Sequence, residues 1–124
     1  RNEYLGNGTQ GQLGAQTLTL PTEPTANTLY LGGSWSFDKE FATSQAAGAT
    51  IEYKYSAKDV YIVASADAHV FHAGTTMQDG KVVTTITVSA SMLYHLVHNT
   101  KAGAHTLKLI IKAPGLAAYT FTFG

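Results

Sequence analysis

Five histidines, His69, His72, His95, His98 and His105, are the side chains of this sequence best suited to hold a metal ion or move a proton near neutral pH. They include two pairs at spacing i, i+3, His69/His72 and His95/His98. On a helix that spacing puts both imidazoles on one face; on a strand it sends them to opposite faces, where they cannot share an ion. A tetrahedral zinc site also needs further ligands, and none stands at a recognisable spacing. The carboxylates that could serve as acids, bases or nucleophiles are sparse and scattered: Asp38, Glu40, Glu52, Asp59, Asp67 and Asp79. Glycoside hydrolysis needs two carboxyl groups about 5 to 10 Å apart across a sugar, and no motif sets up such a pair. There is no G-x-S-x-G elbow, no GxxxxGK[ST] loop and no HExxH. Asp79-Gly80 has the form of a turn rather than of a base, and Asn7-Gly8-Thr9 matches a glycosylation acceptor only formally, in Gly-rich surroundings. The sequence therefore predicts no catalytic residues, no bound metal and no cofactor.

Aromatic and polar surface remains. Sugar rings stack their apolar C–H faces on Trp or Tyr while amides, hydroxyls and carboxylates bond their hydroxyl groups. Trp35 and the seven tyrosines are the pool for such a platform, and Trp35, Tyr53, Tyr94 and His95 are the candidate ligand-binding residues. The competing expectation is burial, since Trp35, Tyr53, Tyr55 and Tyr119 all suit the inside of a sheet.

The elements that must position these groups read as strands. Charged residues make up 13% of the 124, about half the usual share, while the apolar fraction of 44% is ordinary. Neutral polar residues fill the gap, with 17 Thr beside 12 Gly, a composition that suits pleated strands and tight turns better than surface helices. Apolar residues recur with period two: Ile51, Tyr53 and Tyr55 against Glu52 and Lys54; Val82, Thr84, Ile86 and Val88 against Val83, Thr85 and Thr87. Leu107, Leu109 and Ile111 alternate with Thr106, Lys108 and Lys112, and Tyr119, Phe121 and Phe123 with Thr120 and Thr122. Residues 90–98, ASMLYHLVH, fit either period and are read as a strand. Turns are expected at Gly32-Gly33, Ala47-Gly48, Ala73-Gly74, Asp79-Gly80, Ala102-Gly103 and Pro114-Gly115. The expectation is an antiparallel sandwich or barrel. Within one domain, residues 1–28 form a loop-rich lead-in with one short strand near Thr17–Leu20, and residues 29–124 form the β-sandwich body.

Charge removes several partners. Eight Lys+Arg balance eight Asp+Glu, and the only arginine is Arg1, so no cationic stripe exists to bind nucleic acid. No run approaches the roughly 18 apolar residues of a membrane span, so direct membrane insertion is not expected. With no cysteine the chain has neither a disulfide framework nor a thiolate nucleophile. It opens on Arg1 rather than Met, as expected of a processed chain or an excised domain.

Five segments in order resemble the C-terminal module of the DipZ-type thioredoxin-like proteins. They are Glu3-Tyr4-Leu5-Gly6; Leu31-Gly32-Gly33-Ser34-Trp35 with Glu40 following; residues 57–63, AKDVYIV; residues 93–97, LYHLV; and residues 114–124, PGLAAYTFTFG. Residues 74–80 match least. The resemblance implies an all-β, jelly-roll-like sandwich similar to carbohydrate-binding modules, an extracytoplasmic location tethered through a membrane-anchored parent, and a thioredoxin-like neighbour as partner. Without a C-x-x-C, any thiol-disulfide chemistry of such a parent must lie outside this chain. Two functions follow: a non-catalytic module that binds a carbohydrate or cell-envelope glycan, and a structural domain that packs on its neighbour or on itself. A third, a small hydrolase using Asp38, Glu40 or a histidine, has less support.

Overall fold

The computed structural model describes residues 2–4, 14–20, 22–23, 26, 28–66, 72–88, 92–112 and 114–124, with the side chains of 2–4 and 72–74 left aside. Asn7-Gly8-Thr9, Asp67, His69 and the side chain of His72 lie outside the described residues.

Every regular element among the described residues is a strand: β1 (Asn2–Tyr4), β2 (Gly14–Leu18), β3 (Leu29–Phe37), β4 (Ala42–Ser44), β5 (Ala49–Ser65), β6 (His72–Gln78), β7 (Lys81–Val88), β8 (Met92–Ile111) and β9 (Ala117–Phe123). All the strand pairings are antiparallel, in the order β1-β9-β4-β3-β5-β8-β6-β7, with β2 beside β3 and a further β5–β9 pairing. The lead-in thus contributes edge strands at two places, and its expected strand sits slightly earlier, at Gly14–Leu18. No helix among the described residues is long and apolar enough to cross a membrane, which says nothing of β-barrels.

The two long strands build the jelly-roll-like sandwich. The first half of β5 pairs with β3 and the second half of β8; its second half pairs with β9 and the first half of β8. A register shift between Ala57 and Asp59 marks the change of neighbours, as expected where a strand bends. Between the layers, the Tyr53 ring stacks on Phe123 at 4.7 Å, and Ile51, Val60, Ile62, Leu107, Leu109, Ile111 and Phe121 are fully buried.

Alternation places most of these residues as expected, with two instructive departures. Glu52, expected on a wet face, is buried and meets its cross-strand partner Lys108 at 3.6 Å. Three of the six expected turns, Gly32-Gly33, Ala73-Gly74 and Ala102-Gly103, lie inside strands. At the first, close approach explains the glycines: a Cβ on Gly32 would fall 2.7 Å from the Leu20 side chain, and Gly33 has φ +90 with Ala49 Cα 3.2 Å from where its Cβ would be. The other three are true turns. At Asp79-Gly80 both residues have positive φ, 52 and 82, as a two-residue type I′ hairpin requires.

Candidate functional site

The register of β5 against β8 decides what this surface can do. Asp59 pairs with His98, Val60 with Val97, and Tyr61 with His95, which leaves Leu96 as an extra residue. This is a β-bulge, with two residues opposing one. Leu96 and Val97 are consecutive yet both buried, at 2% and 4% exposure, so the alternation resets between the histidines. His95 and His98 therefore emerge on the same face, contrary to the expectation from an unbroken strand.

They converge on one carboxylate. Asp59 Oδ1 accepts from His95 Nε2 at 3.0 Å and from His98 Nδ1 at 2.7 Å. The hydrogen bond from His98, seconded by His95, holds the Asp59 carboxyl below its ordinary 3.8. The His95 ring lies flat on Tyr61 at 4.4 Å and 19°, with His98 edge-on at 5.9 Å. The backbone of Asp59 is pinned too: its N–H donates to the Gly124 carbonyl at 2.9 Å and its carbonyl accepts from Gly124 N–H at 3.0 Å.

A cleft of about 280 Å³ opens beside the histidines, lined by Gln78, Val83, Thr84, His95, Leu96, Val97, His98 and Asn99. At its floor Gln78 and Asn99 exchange two amide hydrogen bonds of 3.1 Å, and Tyr55 donates its hydroxyl to Gln78 Oε1 at 2.9 Å. Burial pushes the Tyr55 phenol up to about 12. Next along β8, His105 Nδ1 donates to Asp79 Oδ2 at 2.7 Å and Thr106 N–H to Asp79 Oδ1 at 2.9 Å. These bonds, His105 first, hold Asp79 below its ordinary 3.8.

The four candidate ligand residues do not form one site. Trp35 is fully buried and donates its indole N–H to the Gly32 carbonyl at 3.0 Å. Tyr53 is fully buried against Phe123, beside a largely apolar recess of about 220 Å³. Both rings lie at inward positions of their strands, and sequence period cannot tell a covered face from an open one. Tyr94, opposite buried Ile62, is half-buried against the core. Only His95 is exposed and beside the cleft. Sequence reasoning named Asp59 and His98 separately without bringing them together, and it did not name Gln78 or Asn99. The legible signal was an apolar doublet between two polar residues, His95-Leu96-Val97-His98, which on a strand is the mark of a bulge. Asp38 and Glu40 lie exposed in the β3–β4 link, where Asp38 Oδ1 accepts from the Lys39 N–H.

The family described as thioredoxin-like C-terminal domain matches residues 1–124. Protein DipZ of Mycobacterium bovis is 31% identical over 121 residues, 98% of this chain; the chain spans only 16% of that protein. Among solved structures, a family two carbohydrate esterase from Clostridium thermocellum in complex with cellohexaose superimposes with TM-score 0.71 and 19% identity, over 78% of this chain and 31% of the other. The carbohydrate-binding module CBM36, in complex with calcium and xylotriose, aligns over 100% of this chain and 99% of its own, with TM-score 0.57 and 11% identity. At these identities the likeness is one of fold.

Proposed function

The chain belongs to the thioredoxin-like C-terminal domain family, and on that premise we propose that it is a non-catalytic accessory β-sandwich of an extracytoplasmic thioredoxin-like protein, binding a carbohydrate or cell-envelope glycan. The observation that carries the reading is the cleft beside β8. Its polar lining is made of amides, a hydroxyl and imidazoles, from Gln78, Asn99, Thr84, His95 and His98, with Val83 as an apolar wall and, among the described residues, no Lys, Arg, Asp or Glu. Such a lining suits a neutral, hydroxyl-rich ligand better than a charged one. A membrane-tethered thioredoxin-like neighbour is the partner this reading implies; the absence of cysteine leaves any redox chemistry to that neighbour.

Affinity electrophoresis in gels containing cell-wall and plant polysaccharides tests the reading. Migration should be retarded by at least one polymer, and Asn99→Ala or Thr84→Ala should restore it. No retardation across the panel, or retardation indifferent to both substitutions, overturns it. A second reading, a structural domain that packs on its neighbour or on itself, draws on Val82, Val83, Met92 and Leu93, apolar side chains left 47 to 61% exposed. Sedimentation of the chain alone and with a thioredoxin-like domain separates the two.

A further inference from the structure

The cluster of Asp59, His95 and His98 has a chemistry that a neutral sugar does not call for. Its three ligand atoms, one carboxylate oxygen and two imidazole nitrogens from residues far apart in sequence, lie within 4.8 Å of one another. A tetrahedral cation with bonds near 2.1 Å places its ligand atoms about 3.4 Å apart. The observed 2.7 and 3.0 Å are the spacings of the same atoms joined by hydrogens instead of a metal. Lengthening these two contacts by about half an ångström while the two imidazole nitrogens settle at a like spacing, within reach of a χ rotation of His98, whose side chain is 60% exposed, gives the cation its place.

We propose that Asp59, His95 and His98 form a binding site for a divalent transition-metal ion of the Zn²⁺ class. Its donor set excludes the commoner cations: Ca²⁺ and Mg²⁺ take oxygen ligands, whereas imidazole suits zinc and copper. Two neutral imidazoles and one carboxylate carry a single negative charge, which a divalent ion overcompensates. The two nitrogens now donating to Asp59 would turn lone pairs to the ion, their protons moving to the other ring nitrogens. Pre-organisation comes from the fold: the Leu96 bulge sets both histidines on one face, Tyr61 holds the His95 ring, and the Gly124 backbone fixes Asp59. Among the described residues Asp59 forms ion pairs with no lysine or arginine that would compete with the ion. Three protein ligands leave a coordination position for water or a ligand atom, and the neighbouring cleft has room for it. The proposal stands whether or not a glycan binds.

Equilibrium dialysis of the intact chain against Zn²⁺, in excess Mg²⁺ and Ca²⁺, gives the test. One equivalent of Zn²⁺ should be retained. His98→Ala and Asp59→Asn should each weaken retention by about tenfold or more, since each removes one of three protein ligands. His105→Ala, which removes a histidine already committed to Asp79, should leave retention unchanged. Co²⁺ bound to the unsubstituted chain should show the visible absorption of a four- or five-coordinate site, a readout independent of any variant's folding. No retained Zn²⁺, displacement by Ca²⁺, or retention unaffected by both His98→Ala and Asp59→Asn overturns the proposal.

Discussion

Two aspartates of this domain each hold histidine from β8, yet the two arrangements differ in what else the carboxylate must do. Asp79 sits at a left-handed turn position, receives a backbone N–H from Thr106 on one oxygen and His105 on the other, and so pins the β6–β7 hairpin to β8. Both its oxygens are occupied by bonds that hold strands together. Among the described residues Asp59 receives only imidazoles at its side chain, both on Oδ1, from side chains 44% and 60% exposed. The same residue pair is thus a fastener in one place and an open donor set in the other. The backbone decides which: a hairpin turn that needs an anchor, or a bulge that gathers side chains.

Leu96→Ala, which hollows out the buried residue of the bulge, should cost about 3 kcal/mol in urea unfolding; a negligible cost would mean that the bulge is not a fixed part of the Asp59 site. Asp79→Ala should cost about 2 kcal/mol, because it orphans the Thr106 N–H and puts Ala where φ is positive. Asp59→Ala, measured alongside, should cost clearly less. Equal losses would make both carboxylates fasteners and erase the distinction. Thr76, on the strand that leads to Asp79, has a fully buried hydroxyl without a hydrogen-bond partner among the described residues. Its replacement by Val should raise stability by about 1 kcal/mol, and a loss instead would reveal a bond made by that hydroxyl.

The smallest effect is on the acid side. Both carboxyls are held below their unfolded value, so their contribution is present above that value and is lost as pH falls through the lowered folded pKa. Urea midpoints from about pH 5 down to about pH 2 should fall less steeply in the double variant Asp59→Asn/Asp79→Asn than in the parent. Parallel curves would show that neither histidine contact is kept in acid.

The sheet was legible because alternation is a strong local signal: Phe121 and Phe123, or Leu107, Leu109 and Ile111, point inward as their spacing requires. Asp79-Gly80 was legible because few dipeptides fit a type I′ turn. Glycines misled where the reason for them was another chain segment rather than a turn, as Leu20 and Ala49 are for Gly32 and Gly33. The His95/His98 pair misled because a single extra residue reverses every facing beyond it. Trp35 and Tyr53 show the remaining gap: an aromatic on an inward register is a platform or a core residue according to what covers it, and covering is a property of the whole fold.

The pairing of β1 with β9 joins Asn2 to Thr122, so the first residues find their partners only among the last. During synthesis β1 stays an unpaired segment until β9 has been made. Closure of this edge by β1 therefore comes only after the other strands of the domain have been made. A probe of edge pairing, such as amide exchange at Glu3 and Phe121, would report completion of the domain rather than its onset.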